Sequence, residues 1–160
     1  MDRHLAILPL LASSFLLSSN AWSAVSAPLD ISATVGSACT VNTTPIDFGL
    51  YEGPETTTTG TIGVSCNAGV AYQVGLDAGL HFNAANRHMS NGAGGTLLYY
   101  LSYVGTEWGD EGVTNTYPAA AVAGAGAGTS STYTVDALIW ADQAVAPGTY
   151  TDTIVVTVAF

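Results

Sequence analysis

The 160-residue sequence contains no lysine and only two arginines, Arg3 and Arg87, against twelve aspartates and glutamates. A chain so poor in cations cannot neutralise a phosphate backbone, which excludes nucleic acid as a partner. Electrostatic attraction to anionic lipid is excluded for the same reason. Charge of either sign is scarce, 9 % of residues, and the mean hydropathy is +0.35, far from the disordered class. The net charge of −10 reads as a source of solubility. Cysteine is nearly absent too. Cys39 and Cys66 are too few for a zinc site and lack the spacing of a CxxC redox pair. No window carries helical periodicity, and no G-x-S-x-G turn marks a serine nucleophile.

What is present starts with an export signal. Residues 1–27 read as a signal peptide: Arg3 and His4, the apolar run "LAILPLLASSFLL", then small residues in "AWSAVSA". Cleavage is expected between positions 23 and 27, after Ser23 or Ser26, where alanine stands two places earlier. The run is shorter than the about 20 residues of a membrane span, so no direct membrane insertion is expected after signal removal. Only Asp2 of the acids is lost with the signal, leaving eleven against Arg87 alone. In an exported chain the pair Cys39 and Cys66 reads as one disulfide. It would close a loop worth about 3.5 kcal/mol in the chain-entropy model.

Period-two alternation dominates the rest. "TIGVSC" (61–66) and "VAYQVGLDA" (70–78) alternate strictly, with the hairpin chemistry of "NAG" (67–69) between them and Cys66 directed inward. "IDFGL" (46–50) reads as a short strand with Ile46, Phe48 and Leu50 in phase, and "TYTVDALIW" (132–140) as a longer one. "LLYYLSYV" (97–104) is apolar on both faces, as suits a central strand. Loops are expected at 53–60, 90–95 and 146–148, and the Ala/Gly-rich stretch 118–130 reads as a mobile loop that could hold an edge strand. About seven short strands at such spacing predict an all-β, immunoglobulin-like β-sandwich. The last strand, 150–160, puts Ile154, Val156, Val158 and Phe160 on one face and needs neighbours on both edges.

Chemistry is hard to find among the polar residues. His81 and His88 flank Arg87 without a third ligand and read as solvated rather than metal-binding. Glu107, Asp110 and Glu111 do not follow EF-hand spacing and read as a solvated acidic turn. Trp108, Trp140 and the tyrosines could line a sugar platform, although such residues are more often core and rim. Hence no catalytic residue, metal or cofactor is expected. A carbohydrate-binding module using Trp108 or Trp140 is the alternative from another class, and a metal-dependent hydrolase at Glu107–Glu111 a distant third.

Four features together resemble the spore coat protein U domain family, which includes the pilins of archaic chaperone–usher pili. They are the C-x26-C pair, "DFGLYEG", "RHM" followed by "LLYYLSYVGTEWGD", and the ending "GTYTDTIVVTV" before an aromatic residue. The resemblance covers about 28–160 and is most specific at Gly148, Tyr150, Asp152 and Phe160; the Ala/Gly run at 121–128 departs from it. It implies a sandwich without its final strand, filled first by a periplasmic chaperone and then, at an outer-membrane usher, by the amino-terminal extension of an identical or related pilin subunit. The acceptor edge would be Ile154, Val156, Val158 and Phe160. It further implies a structural subunit at the cell surface serving adhesion or biofilm formation, or, within the same family, a secreted coat protein.

The sequence supplies a suitable donor strand in residues 28–36, ahead of a domain at 37–160. "PLDISATV" carries Leu29, Ile31, Ala33 and Val35 on one face and Asp30, Ser32 and Thr34 on the other. Burying Leu29 and Ile31 would contribute about 1.5–3 kcal/mol each. A head-to-tail contact of this kind does not close and generates a filament. The same parity continues through Ser37 to Cys39 and Val41, so residues 29–41 also fit one ordinary first strand.

Overall fold

The computed structural model describes residues 23–83 and 85–160, and the expected signal peptide lies outside the described residues up to position 22. The chain divides into two units, 1–34 and 35–160. In the first, residues 23–34 form no regular element and are exposed. The second contains, among the described residues, nine strands and no helix: β1 (Cys39–Thr43), β2 (Thr56–Cys66), β3 (Ala71–Leu76), β4 (Arg87–Ser90), β5 (Thr96–Tyr103), β6 (Thr106–Glu107), β7 (Val122–Ala125), β8 (Ser130–Ile139) and β9 (Val156–Ala159).

Two antiparallel sheets result. One runs β1-β2-β8-β5-β4, with β6 also on β5; the other runs β7-β3-β9. An immunoglobulin domain orders one sheet A-B-E-D and places C beside F, then G beyond F, in the other. Here β1, β2, β8 and β5 take the places of A, B, E and D, while β3 and β9 take those of C and F. Among the described residues no strand occupies the place of G. The chain is an all-β, immunoglobulin-like sandwich.

Alternation selects the core. Inward residues of β2, β3, β5 and β8, among them Ile62, Val64, Val74, Leu76, Leu101, Val135 and Ile139, are buried between the sheets. Trp108 is wholly buried beside them, and its indole Nε1 donates to the Val74 carbonyl at 2.8 Å, so its one polar atom is satisfied. The hydroxyls of Tyr72 on β3 and Tyr133 on β8 meet at 2.8 Å and join the two sheets. The Ala/Gly run crosses over this pair: a Cβ at Gly124 would meet the Tyr72 ring at 2.5 Å. Gly124 therefore lets β7 lie close on the tyrosines as an edge strand of the smaller sheet.

Several local expectations are corrected. Residues 46–50 form no strand, because Pro45 has no N–H to continue the pairing that Thr44 makes with Thr61, and Gly49 turns the chain at φ 68° with its N–H bonded to the Asp47 side chain. Ile46 and Phe48 still pack on the core, but Leu50 is exposed. The expected loop 53–60 is half strand: Thr56–Gly60 pairs with Val135–Ile139 of β8, as β-branched threonines favour. Asn67–Gly69 is not a hairpin. Both edges of β2 are taken by β1 and β8, and both edges of β3 by β7 and β9, so the turn carries the chain from one sheet to the other. In the final segment only Val156–Ala159 forms strand, preceded by a bridge between Thr151 and Ser90.

Candidate functional site

The position left without a strand is a groove of about 500 Å³. One wall is Thr149–Ile154 with Val156, the other Thr43–Phe48, and buried Ile62, Leu76, Leu101 and Val135 form part of the floor. Each wall has a local cause. The Tyr150 hydroxyl donates to the Ala146 carbonyl at 2.8 Å, a tyrosine corner that fixes the chain where this wall begins. Opposite, Ile46 lies over Gly60, where a Cβ would come within 2.6 Å of it, so a larger residue at 60 would push that wall outward.

Both bordering strands have an edge to spare. β9 pairs with β3 and β1 with β2, and no described strand pairs with the other edge of either. The consequence is visible in side chains. Val41 stands opposite fully buried Val64 on the same face, yet is 42 % exposed.

The groove is mainly apolar, with one polar corner. Asp152 accepts the Leu80 N–H at 3.0 Å and the Tyr99 hydroxyl at 2.6 Å, and lies 3.0 Å from His81 Nδ1. Burial, then the bond to Asp152, pushes the Tyr99 hydroxyl far above its ordinary value, so the proton stays on the tyrosine. Asp77 works alongside, accepting the N–H groups of Gly79 and Val155 at 3.0 and 2.9 Å. Two carboxylates thus tie the 77–81 turn to the wall of the groove.

Of the expected acceptor residues, Ile154 and Val156 line the groove. Val158 is half-buried opposite Val74, and Phe160 is largely exposed. Leu29, Ile31, Ala33 and Val35 are exposed and belong to no strand; β1 begins only at Cys39. Cys39 and Cys66 are bonded, directly opposite each other on β1 and β2 with Cα atoms 4.1 Å apart, so the bridge pins the start of a strand that borders the groove.

The polar candidates take structural positions. Asp110 is wholly buried, which corrects the solvated acidic turn at that residue while Glu111 is exposed: Asp110 accepts from the Thr114 and Thr116 hydroxyls and the Thr116 and Tyr117 N–H groups. Burial raises its carboxyl and these bonds more than reverse that, holding it below the ordinary value. Arg87 is buried as well, donating to the carbonyls of Asp77, Trp108 and Leu76 at 2.9, 2.8 and 2.6 Å. His81, expected free in solvent, is paired with Asp152, whereas the His88 ring nitrogen lies against its neighbouring Asn86 carbonyl. Trp108 cannot serve a sugar platform from the core; Trp140 remains 47 % exposed. The sequence reading missed Ile46 and Phe48 as a groove wall and Tyr99 as the partner of Asp152. Proline at 45 was the available signal for the first.

The family model described as Spore Coat Protein U domain matches residues 25–157. No curated protein sequence matches the chain. A solved structure to which it is similar is the CsuC–CsuE chaperone–tip adhesion subunit pre-assembly complex from archaic chaperone-usher Csu pili of Acinetobacter baumannii. Identity there is 24 % and the TM-score 0.58, over 79 % of this chain and 40 % of that chain. The likeness is one of fold, and this chain spans less than half of that relative. With the family match running through nearly all of the sandwich, the chain belongs to the Spore Coat Protein U domain family.

Proposed function

We propose that this protein is a non-enzymatic structural subunit of a surface pilus, assembled by donor-strand exchange through the chaperone–usher pathway and serving adhesion or biofilm formation. The observation that carries the reading is the groove at the place of strand G, whose walls adjoin the end of β1 and the start of β9, two strands that each keep a free edge among the described residues. Such a site takes an extended peptide: backbone groups pair with the free edge, and alternate side chains enter the groove. The segment 28–36 has the matching pattern, with Leu29, Ile31, Ala33 and Val35 on one face and all of them exposed. Supplied by a second subunit, it would complete the sandwich and repeat head to tail without closure.

The partners that follow are a periplasmic chaperone to cover the groove before assembly, an outer-membrane usher, and identical or related subunits. The protein passes through the periplasm to the cell surface. The solved relative, a subunit held in a pre-assembly complex with its chaperone, is consistent with this order of events. Electrophoresis of cell-surface extracts with and without boiling tests the reading. A ladder that collapses to one band on boiling is expected. A single band under both conditions would favour a secreted coat protein that does not polymerise through strands.

A further inference from the structure

The outer face of an antiparallel sheet is ordinarily polar, but one part of the larger sheet is not. Tyr100 on β5 stands opposite Leu138 on β8, and the chain places Trp140 two residues further on, just past the end of β8. The Tyr100 and Trp140 rings are tilted at 56° with centroids 6.4 Å apart. Trp140 is the most exposed described tryptophan, 47 % against none for Trp108.

The backbone that carries Trp140 is held from below. The Trp140 carbonyl accepts the Tyr51 hydroxyl at 2.9 Å and the Gln143 amide at 3.3 Å, and the Gln143 N–H in turn donates to Tyr51 at 3.1 Å. Gln143 also bonds both backbone groups of Leu98, at 2.8 Å each, replacing the strand neighbour that β8 stops supplying after Ile139. An exposed aromatic on so fixed a base loses little freedom when it binds something.

We propose that Trp140 and Tyr100 form a platform for a neutral sugar ring of a polysaccharide. Aromatic faces stack on the C–H face of a sugar, and exposed Asp136, on the same side of β8 two residues before Leu138, offers a carboxylate to its hydroxyls. Charge selects among the possible occupants. Arg87 is buried and the chain carries a net −10, so among the described residues no exposed arginine or lysine is available for an acidic glycan. A second copy docking with the same face would set Asp136 against its own image. A neutral polyol meets neither objection. This platform is separate from the groove and does not depend on strand exchange.

The test is affinity electrophoresis of the purified exported chain in gels containing neutral glucan, xylan or mannan, with polygalacturonate as the acidic control. Retardation by at least one neutral polysaccharide is expected, and none by polygalacturonate. Trp140→Ala and Tyr100→Ala should each weaken it roughly tenfold or more, while Trp140→Phe keeps part of it. The emission of buried Trp108 reports that each variant is folded. No retardation by any neutral polysaccharide overturns the proposal, as does retardation that survives both alanine variants or is equal with polygalacturonate. So does sedimentation showing self-association abolished by Trp140→Ala, which would make the face a contact between copies.

Discussion

Arg87 lies under Tyr117, its guanidinium carbon 3.8 Å from the ring centroid, and the Tyr117 hydroxyl is bonded to Glu107. The only arginine among the described residues is therefore a core residue. Its charge is met by a ring face, three carbonyls and, through the tyrosine, a carboxylate. Desolvation lowers the arginine pKa, but an arginine starts so high that it stays charged.

Removing that hub leaves three buried carbonyls without donors. Arg87→Met should cost about 3 kcal/mol or more in urea unfolding, since each orphaned acceptor carries a penalty of about 1–3 kcal/mol and the effects overlap. Arg87→Lys keeps the charge but cannot reach three diverging carbonyls from one ammonium, so it should fall between. An Arg87→Met midpoint equal to that of the wild type would remove the arginine from the core's account.

That residue also shows which parts of the molecule are legible in the sequence. Strands β3 and β8 and the second half of β2 are readable because period-two alternation is local, and the inward direction of Cys66 follows from the same parity; β5 is readable because its run is apolar on both faces. One groove wall, Ile154 and Val156, is readable for that reason too. The opposite wall is not, because Ile46 and Phe48 alternate like a strand while Pro45 and Gly49 stop them pairing like one. Arg87 and Asp110 look like surface charges in the sequence. Their partners include backbone groups and hydroxyls that the fold brings inward, and no spacing rule marks a carbonyl as an arginine's partner.

Asp110 predicts an acid limb in stability. Its folded pKa is depressed, so the unfolded chain binds the proton more readily. Its contribution is complete above the ordinary value of 3.8 and is lost as pH falls through the lower folded value. Urea midpoints measured from pH 5 down to pH 2 should fall, and Asp110→Asn should remove part of that slope. At neutral pH the same variant should be less stable by about 2 kcal/mol, because an amide N–H would replace an acceptor among four donors. An unchanged acid slope in Asp110→Asn would show that other carboxylates govern it.

The disulfide fastens an edge strand. β1 has a neighbour on only one side among the described residues, and the bridge secures its first residue to β2. Replacing Cys39 or Cys66 by alanine should lower stability by about 2–5 kcal/mol. Subunit yield should fall with it, so that assembly is lost through folding rather than through the groove. Quantitative alkylation of both thiols in native, unreduced protein would contradict the bond.

The donor reading is tested by register. With 28–36 as donor, Ile31 enters the groove of a neighbouring subunit, between walls that include Ile46 and Ile154, while Ser32 faces away. Ile31→Asp would bury an unpaired carboxylate there and cost several kcal/mol at each junction. Ser32→Asp lies one residue along, on the opposite face, and should cost far less. Ile31 is exposed and belongs to no strand, so the substituted subunit should still fold and bind its chaperone. The expected outcome for Ile31→Asp is normal periplasmic protein with no surface polymer; for Ser32→Asp it is near-normal polymer. If residues 29–41 instead act as one first strand of a complete sandwich, Ile31→Asp should unfold the subunit and deplete it from the periplasm. Equal loss of polymer in both variants would likewise rule out an alternating donor in this register.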